Sequence, residues 1–385
     1  MLLSRSAFEL GAVAVALALL ATFAYLLSQA SGMVLADGQP VFGDFIAFWS
    51  GGRAALEGHV ADVHTRTLIE HYHQQATPGV AFTAPWNSPP TFLLVASGLA
   101  LLPYPAAAIV FLLIGATLYL TAARGLLPDT RALIFAVTLP AAVYHIGTVQ
   151  TGLVIAGISG LALLWLDKRP LTAGALVGLL AIKPHLAVLW PVMLALSGRW
   201  RAFAAATAST SAFIALAGFV FGFDAYDRFF QSLGATQNLV TNQLITTPAY
   251  ASLYASLLQL GVPQGVALAV HGASALSALV VASMVFRRRE RTTAGAALCA
   301  ATLIVLPYSF FYDFTLLALA AALFCVPQTR LEYAGAIAAW SAGLSLPLSY
   351  VLPLPYCAAA AWLVLIAASV RAGSAAHRPA PAPQP

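Results

Sequence analysis

The sequence predicts an all-α, polytopic integral membrane protein of about 12 transmembrane helices. Three observations carry that expectation. Of 385 residues, 61% are hydrophobic and 8% are charged, where soluble domains run at about 45–50% and ~25%. The apolar runs are continuous, as from Phe8 to Leu27, and lack the period-2 alternation of barrel strands. The basic residues fall in short clusters between those runs. Eighteen basic and 13 acidic side chains cannot coat soluble domains of this size. A soluble enzyme, a disordered chain and a secreted disulfide scaffold are excluded. Cys299, Cys325 and Cys357 sit singly in apolar runs, which argues against a disulfide framework or a thiolate cage.

The clusters set the topology. Arg5, Arg124, Arg131, Lys168, Arg169, Arg199, Arg201, Arg287, Arg288, Arg289, Arg291, Arg330, Arg371 and Arg378 make 14 of the 18 basic residues. The positive-inside rule puts them on the cytoplasmic face. The net charge of +5 is therefore a membrane signature; the expected contacts are membrane lipids, with no nucleic-acid partner. The first helix covers about 7–28, and a long outer loop follows over 29–88. The stretch 89–123 is interrupted by Leu102-Pro103-Tyr104-Pro105 and crosses a net single time. Further segments are expected at 131–145, 150–167, 171–183, 185–197, 202–222, 264–286, 294–308, 311–326, 331–347 and 354–371. A second outer loop with an interfacial helix takes 223–260. One transmembrane domain thus occupies 1–371, both termini are cytoplasmic, and the Pro-rich tail 372–385 is disordered. The location expected is the inner (plasma) membrane, with the active face outside.

The outer connections hold the chemistry. The first loop carries Asp44, Trp49, Arg53, four histidines (His59, His64, His71, His73) and then Trp86-Asn87-Ser88-Pro89-Pro90. The next carry His145 to Gln150, Lys183-Pro184-His185 at a helical hairpin tip, and Tyr308 to Asp313. Ionisable groups at membrane depth are costly and usually functional. Lys183 lies on the outer side with Arg53, Arg66 and Arg228, where orientation does not explain positive charge. An ammonium beside a helix-breaking proline suits an anionic phosphate group; a lysine snorkelling at a helix end is the plainer reading. Asp44 stands among aromatics in Phe42-Gly43-Asp44-Phe45-Ile46-Ala47-Phe48-Trp49. Local sequence favours an N-cap for a helix beginning near Phe45, with a general base of raised pKa as the functional alternative. The histidine spacing gives no metal site, since His71 and His73 point to different helix faces. No glycine-rich nucleotide loop is present, and no cofactor is expected.

Asp44 with Phe48-Trp49-x-x-Gly52, Leu56-x-Gly58, Ser88-Pro89-Pro90 and Leu101-Leu102-Pro103-Tyr104 resembles glycosyltransferase family 87. Lys183-Pro184-His185, the basic turn Gly198-Arg199-Trp200-Arg201 and Pro307-x-Ser309-Phe310 fit the same family. The resemblance covers roughly 40–330. It implies a GT-C-like membrane enzyme using a polyprenyl-phosphate sugar, with mannose the default, on the outer face. It implies inversion at the anomeric carbon, a lipid or glycan acceptor, and Asp44 as base. Lys183, His185, Arg228 and Arg53 are then the expected donor-phosphate contacts. Trp49, Trp86, Asn87, His145, Gln150, Tyr308, Tyr312 and Asp313 are the expected substrate contacts. One motif departs: the actinobacterial mannosyltransferases carry a late element resembling Ser-Pro-x-Ser-Trp-x-His-His. Here Leu306-Pro307-Tyr308-Ser309-Phe310-Phe311 ends in Tyr312-Asp313. The competing class is a lipid or solute transporter with a Lys183/Asp313 pathway.

Overall fold

The computed structural model describes residues 5–80, 85–127, 130–235, 249–288, 291–322, 329–344, 346, 350 and 354–376. All its regular elements are helical, apart from isolated bridges at Ser31, Val34 and Pro40 and between Tyr250 and Phe310. Helix α1 (Arg5–Ser28) precedes α2 (Phe45–Leu56) and α3 (Arg66–Ala76), so the outer loop expected over 29–88 carries two helices. Then come α4 (Pro90–Leu99), α5 (Tyr104–Leu126), α6 (Thr130–Thr138), α7 (Pro140–Val143), α8 (His145–Thr148) and α9 (Gly152–Trp165). Helices α10 (Pro170–Leu179) and α11 (Leu189–Leu196) flank two 3-10 turns, Leu180–Ile182 and Pro184–Ala187. They lead to α12 (Trp200–Phe221), α13 (Asp224–Ala235), α14 (Leu253–Gln259), α15 (Gln264–Arg287) and α16 (Arg291–Val305). A 3-10 turn (Phe311–Phe314), α17 (Thr315–Ala322), α18 (Arg330–Ala342) and α19 (Tyr356–Ala376) complete the described order.

Prolines punctuate these helices as their chemistry requires, since a proline tolerates the first helical turn and no other. Pro90 opens α4, Pro140 opens α7 and Pro170 opens α10; Pro105 stands in the first turn of α5. The segment expected to cross over 131–145 is consequently broken at Leu139-Pro140.

Five described helices are long and apolar enough to span a membrane: Glu9–Ser28, Tyr104–Leu126, Trp200–Phe221, Gln264–Arg287 and Tyr356–Ser374. The shorter apolar helices have 10–17 residues. At ~1.5 Å per residue all of them fall short of ~30 Å of hydrocarbon. The sequence count of 12 is not confirmed: length and composition support five spans among the described residues, and the expected segments 311–326 and 331–347 include positions outside them. The directions of neighbouring helices nevertheless follow the expected alternation. Along α5 and α9, Gly115 meets Leu153, Gly157 meets Leu118 and Gly125 meets Leu164, so the two run parallel. Along α10 and α12, Gly174 meets Ala202 and Gly178 meets Ser209, again parallel. Each pair has one expected crossing between its members. A Cβ at Gly174 would lie 2.2 Å from the Ala202 carbonyl oxygen, the close backbone approach that small residues give membrane helices.

Several expectations change. Lys183 does cap a turn, but α10 and α11 do not form a packed hairpin: α10 lies on α9 and α12, and α11 on α12, α15 and α16. The polar side chains of 249–260 are turned inward. Ser252 accepts from the Ala255 N–H and donates to the Pro307 carbonyl, and Tyr254 and Ser256 are buried. The chain expected to be a disordered tail from 372 begins as the end of α19, which reaches Ala376. Residues 377–385, positions 236–248 of the second outer loop, Cys325 and Arg289 lie outside the described residues.

Candidate active site

Asp44 sits at the head of α2, where the sequence places a helix start, yet its side chain makes no capping hydrogen bond. Its own backbone is already helical, with φ −66° and ψ −17°, so the carboxylate swings away from the N–H groups that an N-cap serves. It accepts instead from the Gln150 amide, Nε2 to Oδ2 at 2.9 Å. Oδ1 has no hydrogen-bond partner among the described residues. Burial raises the Asp44 pKa above the usual carboxylate value; the Gln150 hydrogen bond and the Lys183 charge oppose that rise.

The turn that presents Asp44 is unusual backbone. Phe42 and Gly43 have φ of 68° and 44°, the left-handed region that a bulky residue rarely adopts. A Cβ at Gly43 would lie 3.2 Å from the Thr148 Cα and 3.3 Å from the Gly147 carbonyl oxygen. The 40–44 turn is thus pressed onto the 145–150 connection. Tyr104 of α5 secures it from the other side, donating its hydroxyl to the Val41 carbonyl and packing on Phe42 and Phe45.

Lys183 stands between the two 3-10 turns in non-helical backbone, φ −144° and ψ 73°. Its ammonium donates to Asp313 Oδ1 at 2.7 Å and lies 5.2 Å from the centre of the Tyr312 ring. The Lys183 side chain is 16% exposed and that of Asp313 is 1% exposed. Asp313 Oδ2 accepts the Phe310 N–H at 2.9 Å, which closes the turn. Phe310 stacks on Tyr312 with ring centres 5.1 Å apart, and Tyr250 lies 4.3 Å from Phe310. Two backbone hydrogen bonds, Ala251 N–H to Ser309 O at 2.7 Å and Phe311 N–H to Ala249 O at 3.2 Å, staple this element to the strand-like 249–252.

His145 is fully buried. Its Nδ1 lies 2.8 Å from the Ala141 carbonyl oxygen, so Nδ1 carries the proton, and Nε2 has no partner among the described residues. Its ring meets Tyr312 edge to face at 6.1 Å. Gly152 makes room for both: a Cβ there would lie 2.4 Å from His145 Nε2 and 2.8 Å from the Tyr312 carbonyl oxygen. His185 is exposed beside Lys183 and within electrostatic reach of Lys183 and Asp313. Tyr250 and Tyr312 are in turn within electrostatic reach of Asp44. Five segments distant in sequence therefore converge: 42–45, 145–152, 183–185, 249–252 and 308–313.

Other expected site residues are placed elsewhere. Arg53 pairs with Glu57 at 2.8 Å and Arg228 with Asp224 at 3.2 Å, each within its own helix and partly exposed. Trp49 is buried and donates to the Leu102 carbonyl at 2.9 Å; Trp86 is buried and stacks on Phe92. Asn87 is exposed, and Tyr308 is half exposed beside Tyr254. Tyr250, Phe310 and Tyr104 belong to the cluster's frame without having been expected there. Tyr104 and Phe310 stand in the motifs that carry the family resemblance, and the signal for Tyr250 is the aromatic content of the 250–254 segment.

A family model described as glycosyltransferase family 87 matches residues 86–309. That range holds His145, Gln150, Lys183, His185 and Tyr250, while Asp44 and Asp313 flank it. Neither a curated protein nor a solved structure matches the chain. The matched segment is more than half of the chain, its apolar helices suit a membrane, and its polar residues converge with Asp44 on one cluster; the chain belongs to glycosyltransferase family 87 and is a membrane glycosyltransferase.

Proposed function

We propose that this enzyme transfers a sugar, by default mannose, from a polyprenyl-phosphate donor to a lipid or glycan acceptor at the outer face of the inner (plasma) membrane, with inversion. The observation that carries the reading is the disposition of Asp44: placed to cap a helix, it does not, and it leaves one carboxylate oxygen open. In a single displacement that oxygen takes the proton of the acceptor hydroxyl. The hydroxyl oxygen forms the new bond to the anomeric carbon, and the bond from that carbon to the phosphate oxygen breaks. Base catalysis of this kind contributes about 10²–10⁴ in rate.

The departing polyprenyl phosphate gains negative charge, and a fixed cation stabilises it best where water is scarce. Lys183 suits that role. One of its three N–H groups is given to Asp313, and the other two have no hydrogen-bond partner among the described residues and can serve phosphate oxygens. His185, exposed beside it, is the second candidate. Arg53 and Arg228 pair with Glu57 and Asp224 and make no hydrogen bond or ion pair to the cluster among the described residues, so they rank below Lys183 as clamp residues. A transporter would also use a buried Lys–Asp pair, but membership of a glycosyltransferase family favours chemistry over transport.

The test is direct. Purified protein given a polyprenyl-phosphate sugar and a lipid acceptor is expected to release polyprenyl phosphate in proportion to the glycosylated acceptor formed. Movement of lipid or solute across a vesicle with no transfer would overturn the proposal. Its sidedness has a separate test. Asp62 is exposed in the first loop, so a cysteine at Asp62→Cys is expected to react in intact cells with a membrane-impermeant thiol reagent. Protection there would reverse the orientation.

A further inference from the structure

The amide of Gln150 is the sole hydrogen-bond donor to the Asp44 carboxylate among the described residues. Its other end is fixed: Gln150 Oε1 accepts the Thr151 backbone N–H at 3.2 Å. A backbone N–H can only donate, so the oxygen end must face Thr151 and the NH₂ end must face Asp44. The backbone that aims this amide is strained. Val149 has φ 45° and is buried to 1% exposure; a β-branched residue in left-handed backbone persists only where its surroundings over-determine it. Each partner of the hydrogen bond thus follows a left-handed residue, Gly43 before Asp44 and Val149 before Gln150.

We propose that Gln150 is the positioning residue of the Asp44 base, holding the carboxylate by one oxygen in its ionised form and turning the other oxygen toward the acceptor hydroxyl. This deepens, and rests on, the reading of Asp44 as base. It also moves Gln150 from the substrate contacts that the sequence suggested to the support of the base. An amide donor favours the charged form of a buried carboxyl, which burial alone would protonate. Other groups face the same carboxylate. They are the Lys183 ammonium and the phenols of Tyr104, Tyr250 and Tyr312, with Asp313, His145 and His185 grouped around Lys183. The phenols stay neutral through the pH range of turnover. Among the described residues only Gln150 contacts the Asp44 carboxylate by hydrogen bond.

The experiment is the pH dependence of kcat/KM for Gln150→Leu and Gln150→Glu in the full-length protein, with Asp44→Asn alongside. Loss of the donor is expected to move the acid limb to higher pH by about one unit or more, with activity recovering at the alkaline end. Gln150→Glu sets a second carboxyl against the first and is expected to move the limb further. It reads the same quantity if Gln150→Leu does not fold. A merely structural residue would lower activity at every pH and leave the limb in place, as would a limb that belongs to His145 or His185; an unmoved limb overturns the inference. An Asp44→Asn enzyme as active as wild type would overturn the base reading itself. An inactive Asp44→Asn with an unmoved Gln150 limb overturns only the positioning role.

Discussion

Asp44 and Asp313 stand in one cluster, and the structure treats them in opposite ways. Asp313 is saturated: Lys183 takes one oxygen, the Phe310 N–H takes the other, and the side chain is all but sealed. Asp44 is half satisfied: Gln150 takes one oxygen and the other is left open, in a half-buried residue. A carboxylate with both oxygens engaged and its side chain 1% exposed holds a turn and a lysine in place, and presents no open oxygen to an acceptor hydroxyl. The half-committed one is the candidate base. The comparison also addresses the family departure at Tyr312-Asp313. There Asp313 pairs with Lys183, whose ammonium lies 5.2 Å from the centre of the Tyr312 ring. The lysine is held still before any donor arrives.

The largest effects are expected from breaking the saturated pair. Lys183→Ala leaves Asp313 buried without its cation, a loss of about 3–5 kcal/mol, read as a lower unfolding midpoint in purified protein. Donor use is expected to fall by about 2–4 kcal/mol as well. The double change Lys183→Met with Asp313→Leu separates the two. Folding is expected to recover, because neither charge is stranded, while donor use is not. Recovery of both would make the pair a purely structural lock and move the phosphate site elsewhere.

Next in size is Gly152→Ala. The added methyl collides with His145 Nε2 and the Tyr312 carbonyl oxygen, and overpacking of this kind costs about 1–3 kcal/mol. Turnover is expected to drop more than stability, because the displaced groups border Lys183 and Asp313. A fully active Gly152→Ala enzyme would show that the register between 145–152 and 312 is not needed.

The smallest effects are expected at Arg53 and Arg228. Each forms an exposed i,i+4 pair, a class worth about 0–1 kcal/mol. Arg53→Ala and Arg228→Ala are expected to leave the donor KM within a few-fold of wild type. A tenfold rise at either would put that arginine on the phosphate and shift the cluster's cationic side away from Lys183.

The fold class was legible in the sequence because a membrane imposes long uncharged runs and sorts basic residues to one face. The helix starts at Phe45, Pro90 and Tyr104 were legible from aspartate and proline chemistry. The crossing count of 12 is not confirmed, since five of the described helices are long and apolar enough to span. Apolar composition does not reveal that Pro140 breaks one segment, or that helices of about 10–15 residues are too short to span a bilayer alone. The candidate chemistry was legible as a set of residue types at the outer connections, but their pairing was not. Gln150 and Asp44 are 106 positions apart, and Lys183 and Asp313 are 130 apart. Only tertiary packing, through Gly43 on Gly147 and Gly152 on His145, brings them together. The cap reading of Asp44 failed for a related reason. Residue type gives a propensity to cap, whereas the left-handed turn at Phe42 and Gly43 sets the dihedrals that withdraw the side chain.

The central claim is that the open oxygen of Asp44 does the chemistry, and one substitution tests it most directly. Asp44→Asn keeps size and shape, and asparagine caps helices as well as aspartate does. Turnover of Asp44→Asn is to be measured in the same preparation as its unfolding midpoint and its donor affinity. The account predicts at least a ~100-fold loss of turnover, with folding and donor binding retained. A well-folded Asp44→Asn enzyme with near wild-type turnover would contradict it.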